Sequence, residues 1–291
     1  QRGTRIIFLS ATIKETKKDL MNGLCKRVHY YKIDLMKAIK LGLVPKPELV
    51  VHQMHLRQYV GNKLWDFMSR KPKKGCNITK YCTHDKLYET INKYPKEVGI
   101  VCQGSEQEYY DAISKQMEYY KELSQDLSIP YPVRTGCRNK WLNLASQRKK
   151  FISEVKTEIL KDLVKEFRLD DSRFICFTGS INQAKILGAD NAVHSKNSDD
   201  HNQHLIDCFN DMECKELFAV KMLREGVNLT QIEKGIITQL DSEIGSFFQM
   251  LGRCLRHEFP EMHLIVLQDT QDVVYFNKSM KNFNKEFITW R

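Results

Sequence analysis

The chain has 291 residues, 42% of them apolar and 28% charged, with a formal net charge of +10. That balance supports a packed core and excludes a disordered tail, and no apolar run reaches the roughly 18 residues that a membrane-spanning helix needs. No membrane partner is expected. The N-terminus has no basic-then-apolar leader. The nine scattered cysteines read as reduced cytosolic thiols rather than as a disulfide scaffold.

The charge is one-sided. Residues 1–165 hold 32 basic and 17 acidic side chains, a net of +15, whereas residues 166–291 hold 14 and 19, a net of −5. A basic half joined to a mildly acidic half points to a polyanionic partner for the first. A lysine-rich soluble surface is the plainer alternative.

In chain order, residues 5–9 (RIIFL) form an apolar run expected as a buried strand, leading straight into Ser10-Ala11-Thr12. A chain opening so close to a core strand reads as cut from something longer. Helical periodicity follows at residues 14–25, a β-rich stretch at 28–33 and a short helix at 35–41 closed by Gly42. Residues 48–56 return to strand-like alternation. From 60 to 165 the chain becomes rich in Lys, Tyr, Glu and Gln, with 3.6-period stretches at 106–127 and 142–167. Loops are expected at 70–75 and 130–136. This segment reads as a mostly helical insertion with 20 basic and 13 acidic residues. Its aromatics (Tyr109, Tyr110, Tyr119, Tyr120) suit either a stacking track for a single strand or plain core packing. Cys76, Cys82, His84, Cys102 and Cys137 fit no usual zinc-ligand spacing, so no metal site is expected.

Beyond residue 173 short apolar strands (174–177, 192–193, 217–220, 235–238, 263–267) alternate with helices (181–187, 201–209, 243–251), the pattern of βαβ units and a parallel sheet. Ligands of such sheets sit beyond the carboxyl ends of the strands, and the distinctive residues fall there.

Four motifs carry chemistry. The strongest is Gln249-Met-Leu-Gly-Arg-Cys-Leu-Arg256. On a helix, Gln249, Arg253 and Arg256 share one face, and Gly252 lets another backbone come close. Two guanidiniums and an amide form a fork-shaped receptor for phosphate oxygens. A solvated face with two ordinary arginines is the bland alternative. One strand earlier, Val220-Lys-Met-Leu-Arg-Glu-Gly-Val-Asn-Leu229 has a Glu225-Gly226 turn exposing backbone donors and an Asn228 amide suited to a ribose hydroxyl. Ser10-Ala11-Thr12 offers two small hydroxyls after a strand. Thr178-Gly179-Ser180 ends a strand at a helix N-terminus, where hydroxyls and N–H groups suit a phosphate or simply cap the helix.

In order and spacing, SAT, TGS, LREGVN and QMLGRCLR resemble motifs three to six of superfamily 2 (DEAD/DEAH-like) helicases and translocases. LREGVN is similar to the equivalent stretch of the excinuclease B subunit, and QMLGRCLR to the last motif of phage, repair and restriction-type members. The resemblance covers residues 142–267 well and 1–56 weakly. It implies an α/β fold, a RecA-like parallel sheet flanked by helices (a P-loop NTPase-type second lobe) with a mostly helical insertion. Residues 1–30 would be the tail of the first lobe, 31–59 the start of the second, 60–165 the insertion, and 166–291 the rest of the second lobe with a C-terminal helix.

It also implies roles. Arg253 and Arg256 would be arginine fingers on the γ-phosphate of ATP, with Gln249 beside the nucleotide. Glu225, Gly226 and Asn228 would face the ribose, although Asn228 replaces the more usual Asp. Ser10, Ala11 and Thr12 would couple hydrolysis to lobe movement, and Thr178, Gly179, Ser180, Lys196 and Arg224 would follow the nucleic-acid backbone. The expected partners are DNA, single-stranded or duplex, the first lobe of the same polypeptide, and a nuclease or repair protein. The expected setting is the cytoplasm of a bacterium or a phage-infected cell, near the nucleoid.

One absence sets the expected activity. The chain contains no GxxxxGK[ST] loop and no DE-x-[HD] box, so the elements that position phosphates and Mg²⁺ are missing. The expectation is a motor lobe that does not turn over ATP alone, the nucleotide and Mg²⁺ being held mainly by the first lobe. Two rivals stay open: a non-catalytic nucleic-acid-binding module, and the motor segment of a restriction or repair complex.

Overall fold

The computed structural model describes residues 15–24, 28, 29, 33, 35–58, 65–220, 229–240, 244–254, 256–281, 283 and 285–291. It opens with α1 (Glu15–Leu24) and α2 (Leu35–Lys40), followed by Gly42 in the left-handed conformation (φ +67°) and then β1 (Glu48–Met54). Val28, His29 and Ile33, inside the stretch expected to be β-rich, carry no strand. Next come β2 (Trp65–Arg70), β3 (Thr79–Thr83), α3 (Leu87–Lys93), β4 (Gly99–Gly104), α4 (Glu106–Gln125) and α5 (Tyr131–Val155). The remainder is α6 (Thr157–Leu169), β5 (Phe174–Phe177), α7 (Ile181–Gly188), β6 (Ala192–Val193), α8 (Asp199–Asn210), β7 (Glu216–Ala219), β8 (Lys234–Ile237), α9 (Ile244–Cys254), β9 (Glu261–Leu267), α10 (Gln271–Met280) and β10 (Ile288–Trp290).

Seven strands make one sheet in the order β10-β1-β9-β8-β5-β7-β6, and every pairing in it is parallel. Such a sheet is covered on both faces, which is why its strands read as nearly unbroken apolar runs. Alternation sends Phe174 and Cys176 to one face, against Leu160, Leu163 and Phe167 of α6. Ile175 and Phe177 go to the other, with Leu205 and Phe209 of α8, Phe247 and Met250 of α9 and Phe276 of α10. This is the helix-flanked parallel α/β sheet that the alternating strands and helices beyond residue 173 predict.

Between β1 and α6 a smaller unit has its own core. A three-stranded mixed sheet, β2-β4-β3, packs with α3, α4 and α5 around Ile100, Cys102, Tyr109, Ile113, Phe151 and Ile152. Helices dominate the segment, but the small sheet is an addition to the sequence expectation. Its edge strand β3 mixes exposed and half-buried residues without strict alternation, too weak a pattern to signal a strand. Phe67 of β2 stacks on Tyr109 (4.5 Å, 17°), and Phe151 meets both rings edge-on. Tyr109, Tyr110 and Tyr120 are therefore buried, and of the four tyrosines considered for a stacking track only Tyr119 is substantially exposed. Ser105 and Glu108 close a capping box at the start of α4.

The loop expected at 130–136 is instead the first turns of α5. Pro132 fits a first turn because its missing N–H has no helical partner there. The helix expected over 142–167 is divided at Lys156, between α5 and α6.

Candidate functional site

Thr178, Gly179 and Ser180 lie at the carboxyl end of β5, but their polar groups are largely engaged within the protein. Thr178 is buried, and its N–H and Oγ1 both reach the Ala219 carbonyl (2.9 and 3.3 Å), tying β5 to β7. The Ser180 hydroxyl accepts from the Gln183 N–H as the N-cap of α7. Gly179 N–H donates to Gln183 Oε1 (3.0 Å). A Cβ on Gly179 would stand 2.5 Å from Ser153 Oγ and 2.8 Å from Gln239 Oε1, so this glycine allows α5 to approach the strand end. Lys196 is exposed on the turn between β6 and α8.

On α9, Phe247, Met250, Leu251 and Cys254 are buried at i, i+3, i+4 and i+7. That stripe leaves Gln249 and Arg253 half-buried on the other side of the helix. A Cβ on Gly252 would meet nothing within 4 Å, so no described part of this chain uses the close approach the glycine permits. The helix ends at Cys254, so Arg256 does not continue its face as the spacing predicted. It sits in the turn beyond and donates through Nη1 to the Leu229 carbonyl (3.0 Å). Leu229 closes the KMLREGVNL stretch, so the structure joins the two strongest sequence signals. The Arg253 guanidinium is held below its usual pKa, first by partial burial and then by the Arg256 charge. Two neighbouring cations, one of them partly desolvated, form a natural receptor for an anion.

Ser10, Ala11, Thr12, Arg224, Glu225, Gly226 and Asn228 lie outside the described residues. No described group of three or more His, Cys, Asp or Glu is gathered to hold a metal.

Sequence reasoning missed a buried scaffold behind these strand ends. The Lys156 ammonium is fully buried, ion-paired with Asp272 at the start of α10, and donates to the Thr238 and Ile265 carbonyls (2.6 and 2.8 Å). It thereby joins the carboxyl ends of β8 and β9 to the α5–α6 junction. Beside it, Thr238 Oγ1, Gln239 Oε1 and Ser246 Oγ are buried without a hydrogen-bond partner. Unsatisfied groups cluster where β8 hands over to α9, at the ligand end of the sheet. The one available signal was Thr238-Gln239, two polar residues directly after an apolar strand.

Residues 155–258 match the family model of the helicase conserved C-terminal domain. Over that span the chain is similar to the C-terminal domain of helicases. The matched span runs from the α5–α6 junction through the arginine turn after α9. No curated protein sequence matches the chain. Similar solved structures include the C-terminal domain of the DEAD-box protein Dbp5, at 15% identity and TM-score 0.40, over 47% of this chain and 83% of that one. The C-terminal domain of S. cerevisiae Dbp5 bound to Gle1 and IP6 shares 15% identity at TM-score 0.41, over 46% and 84%. The DUF1998 helicase MrfA, bound to DNA, shares 15% identity at TM-score 0.37, over 44% of this chain and 19% of that one. Among the described residues, no helix is long and apolar enough to cross a membrane.

Proposed function

We propose that this chain is the C-terminal motor lobe of an ATP-dependent DNA helicase or translocase, with Arg253 and Arg256 as its arginine fingers. The observation that carries the reading is the Arg256–Leu229 bond beside the partly desolvated Arg253. Two neighbouring cations there would suit a γ-phosphate entering between this lobe and a phosphate-loop lobe. ATP would supply the phosphoryl group, and Mg²⁺ would be held by that other lobe, because the acidic box is missing here. The residues of this chain would bind and orient the nucleotide. Gln249, Glu225, Gly226 and Asn228 would contact it, and the two arginines would stabilise charge developing on the transferred oxygens.

Ser10, Ala11 and Thr12 would relay closure of the cleft to the strand track. On that track Lys196 and Arg224 would meet phosphates, and Thr178, Gly179 and Ser180 would shape the strand end. DNA is favoured over RNA by the likeness of LREGVN to the excinuclease stretch. Without a P-loop, the chain alone should show no ATP hydrolysis above background. Joined to a phosphate-loop lobe it should show turnover stimulated by DNA more than by RNA. Hydrolysis by the isolated chain, or turnover in the joined protein indifferent to any strand, would overturn the proposal.

A further inference from the structure

The long helix α5 has an unusual charge. Between Asp126 and Glu154 the sequence holds six Lys or Arg (Arg134, Arg138, Lys140, Arg148, Lys149, Lys150) and no Asp or Glu. Its antiparallel neighbour α4 is the reverse, with five acidic and two basic residues. Over residues 131–150 no residue of α5 is fully buried, so this part of the helix is a surface rather than a core element. Twenty-five residues at about 1.5 Å each make it a rod of roughly 37 Å.

Its basic side is continuous with the candidate strand track. Arg134, Arg138, Ala145, Lys149 and Ser153 follow one another at helical spacings of four and seven, a single stripe. That stripe ends where Ser153 crowds Gly179 and where Gln239 donates to the Lys149 carbonyl (3.1 Å). At the far end the Arg134 guanidinium lies over the Tyr131 ring (5.8 Å), with a buried Nε that has no partner, and Arg138 is exposed. Taking the nucleic-acid reading above as given, we infer that this stripe is a second, sequence-independent binding site. It carries the phosphate backbone of a single strand outward from the β5 strand end along α5, with Arg138 and Lys149 as its contacts. The Arg134 guanidinium stacked on Tyr131, the exposed Arg138 and the Lys149 ammonium offer spaced cations to phosphate oxygens.

The test is equilibrium binding of fluorescein-labelled oligothymidylate to the full chain across a salt series, with the double variant Arg138→Ala/Lys149→Ala. Lys161→Ala/Lys165→Ala on α6 is the charge-matched control. The wild type and Lys161→Ala/Lys165→Ala should bind alike. The double variant should bind more weakly, with the log-log salt slope reduced by about 1.4, roughly 0.7 for each lost contact. Wild-type binding that the double variant leaves unchanged overturns the α5 site and leaves the motor reading standing. No binding by the wild type at any salt overturns both. A salt-sensitive dimer dissolved by Arg138→Ala, with oligonucleotide binding intact, would assign α5 to the acidic α4 of a second copy and overturn the inference.

Discussion

At the residue scale, one buried group makes the fold sensitive to acid. His52 of β1 and His263 of β9 stack with centroids 5.1 Å apart, His52 Nε2 lies 2.8 Å from His263 Nδ1, and His263 Nε2 meets the Glu261 carboxylate. With Glu261 accepting from Nε2, His263 Nδ1 is an acceptor, so His52 Nε2 is the donor. Protonating both rings would set two donors against each other. Burial first, then the His263 and Arg291 charges, push His52 down to about 4 from 6.5, against a smaller opposing pull from Glu261. Glu261 itself is lowered, chiefly by the His263 hydrogen bond. Because the folded-state value of His52 lies below its unfolded value, the unfolded chain binds more protons between them. Stability contributed by the neutral ring is therefore complete above about 6.5 and is lost as pH falls toward 4. Urea melts should show a loss on the order of 1–2 kcal/mol between neutral pH and about pH 5. His52→Gln, which keeps a donor for His263 and does not titrate, should remove most of that loss. An unchanged pH dependence in His52→Gln would show that another group is responsible.

At the element scale, the buried Lys156–Asp272 pair fastens the α5–α6 junction to α10 and to the ends of β8 and β9. Burial lowers the Lys156 pKa and Asp272 opposes that shift. Lys156→Met leaves Asp272 buried without its cation and should cost about 3–5 kcal/mol by denaturant titration. Adding Asp272→Asn should recover a large part of it. Equal stability of Lys156→Met and the wild type would remove the pair from the account. The pair was not readable in the sequence, because its partners are distant along the chain and a lysine inside an amphipathic helix looks like any solvated lysine. The parallel sheet was readable, since strands such as Phe174–Phe177, buried on both faces, leave unbroken apolar runs. Strands β10, β2 and β3 were not, because short edge strands with mixed exposure carry too little pattern, and the buried run of β4 lay inside a segment whose composition read as mostly helical. QMLGRCLR stood out through residue type and spacing, yet the sequence did not show that Arg256 leaves the helix and turns onto Leu229.

At the scale of the whole molecule, charge and architecture divide the labour. The basic excess lies in residues 1–165, which include the α4–α5 hairpin, and the acidic remainder carries most of the parallel sheet and the arginine turn. In the proposed motor the first would hold a strand and the second would face the nucleotide, with the Gly179–Ser153 contact where the two meet. In that proposal the lobe would supply cations and shape, and a phosphate-loop lobe would supply the metal and the phosphate cradle. The measurement closest to this claim is strand-stimulated ATP turnover with that lobe present, for the wild type, Arg253→Ala and Arg256→Ala. Removing an arginine finger should lower the turnover number by roughly 10³-fold or more, with nucleic-acid affinity and melting temperature little changed. Near-wild-type turnover in both variants would contradict the account.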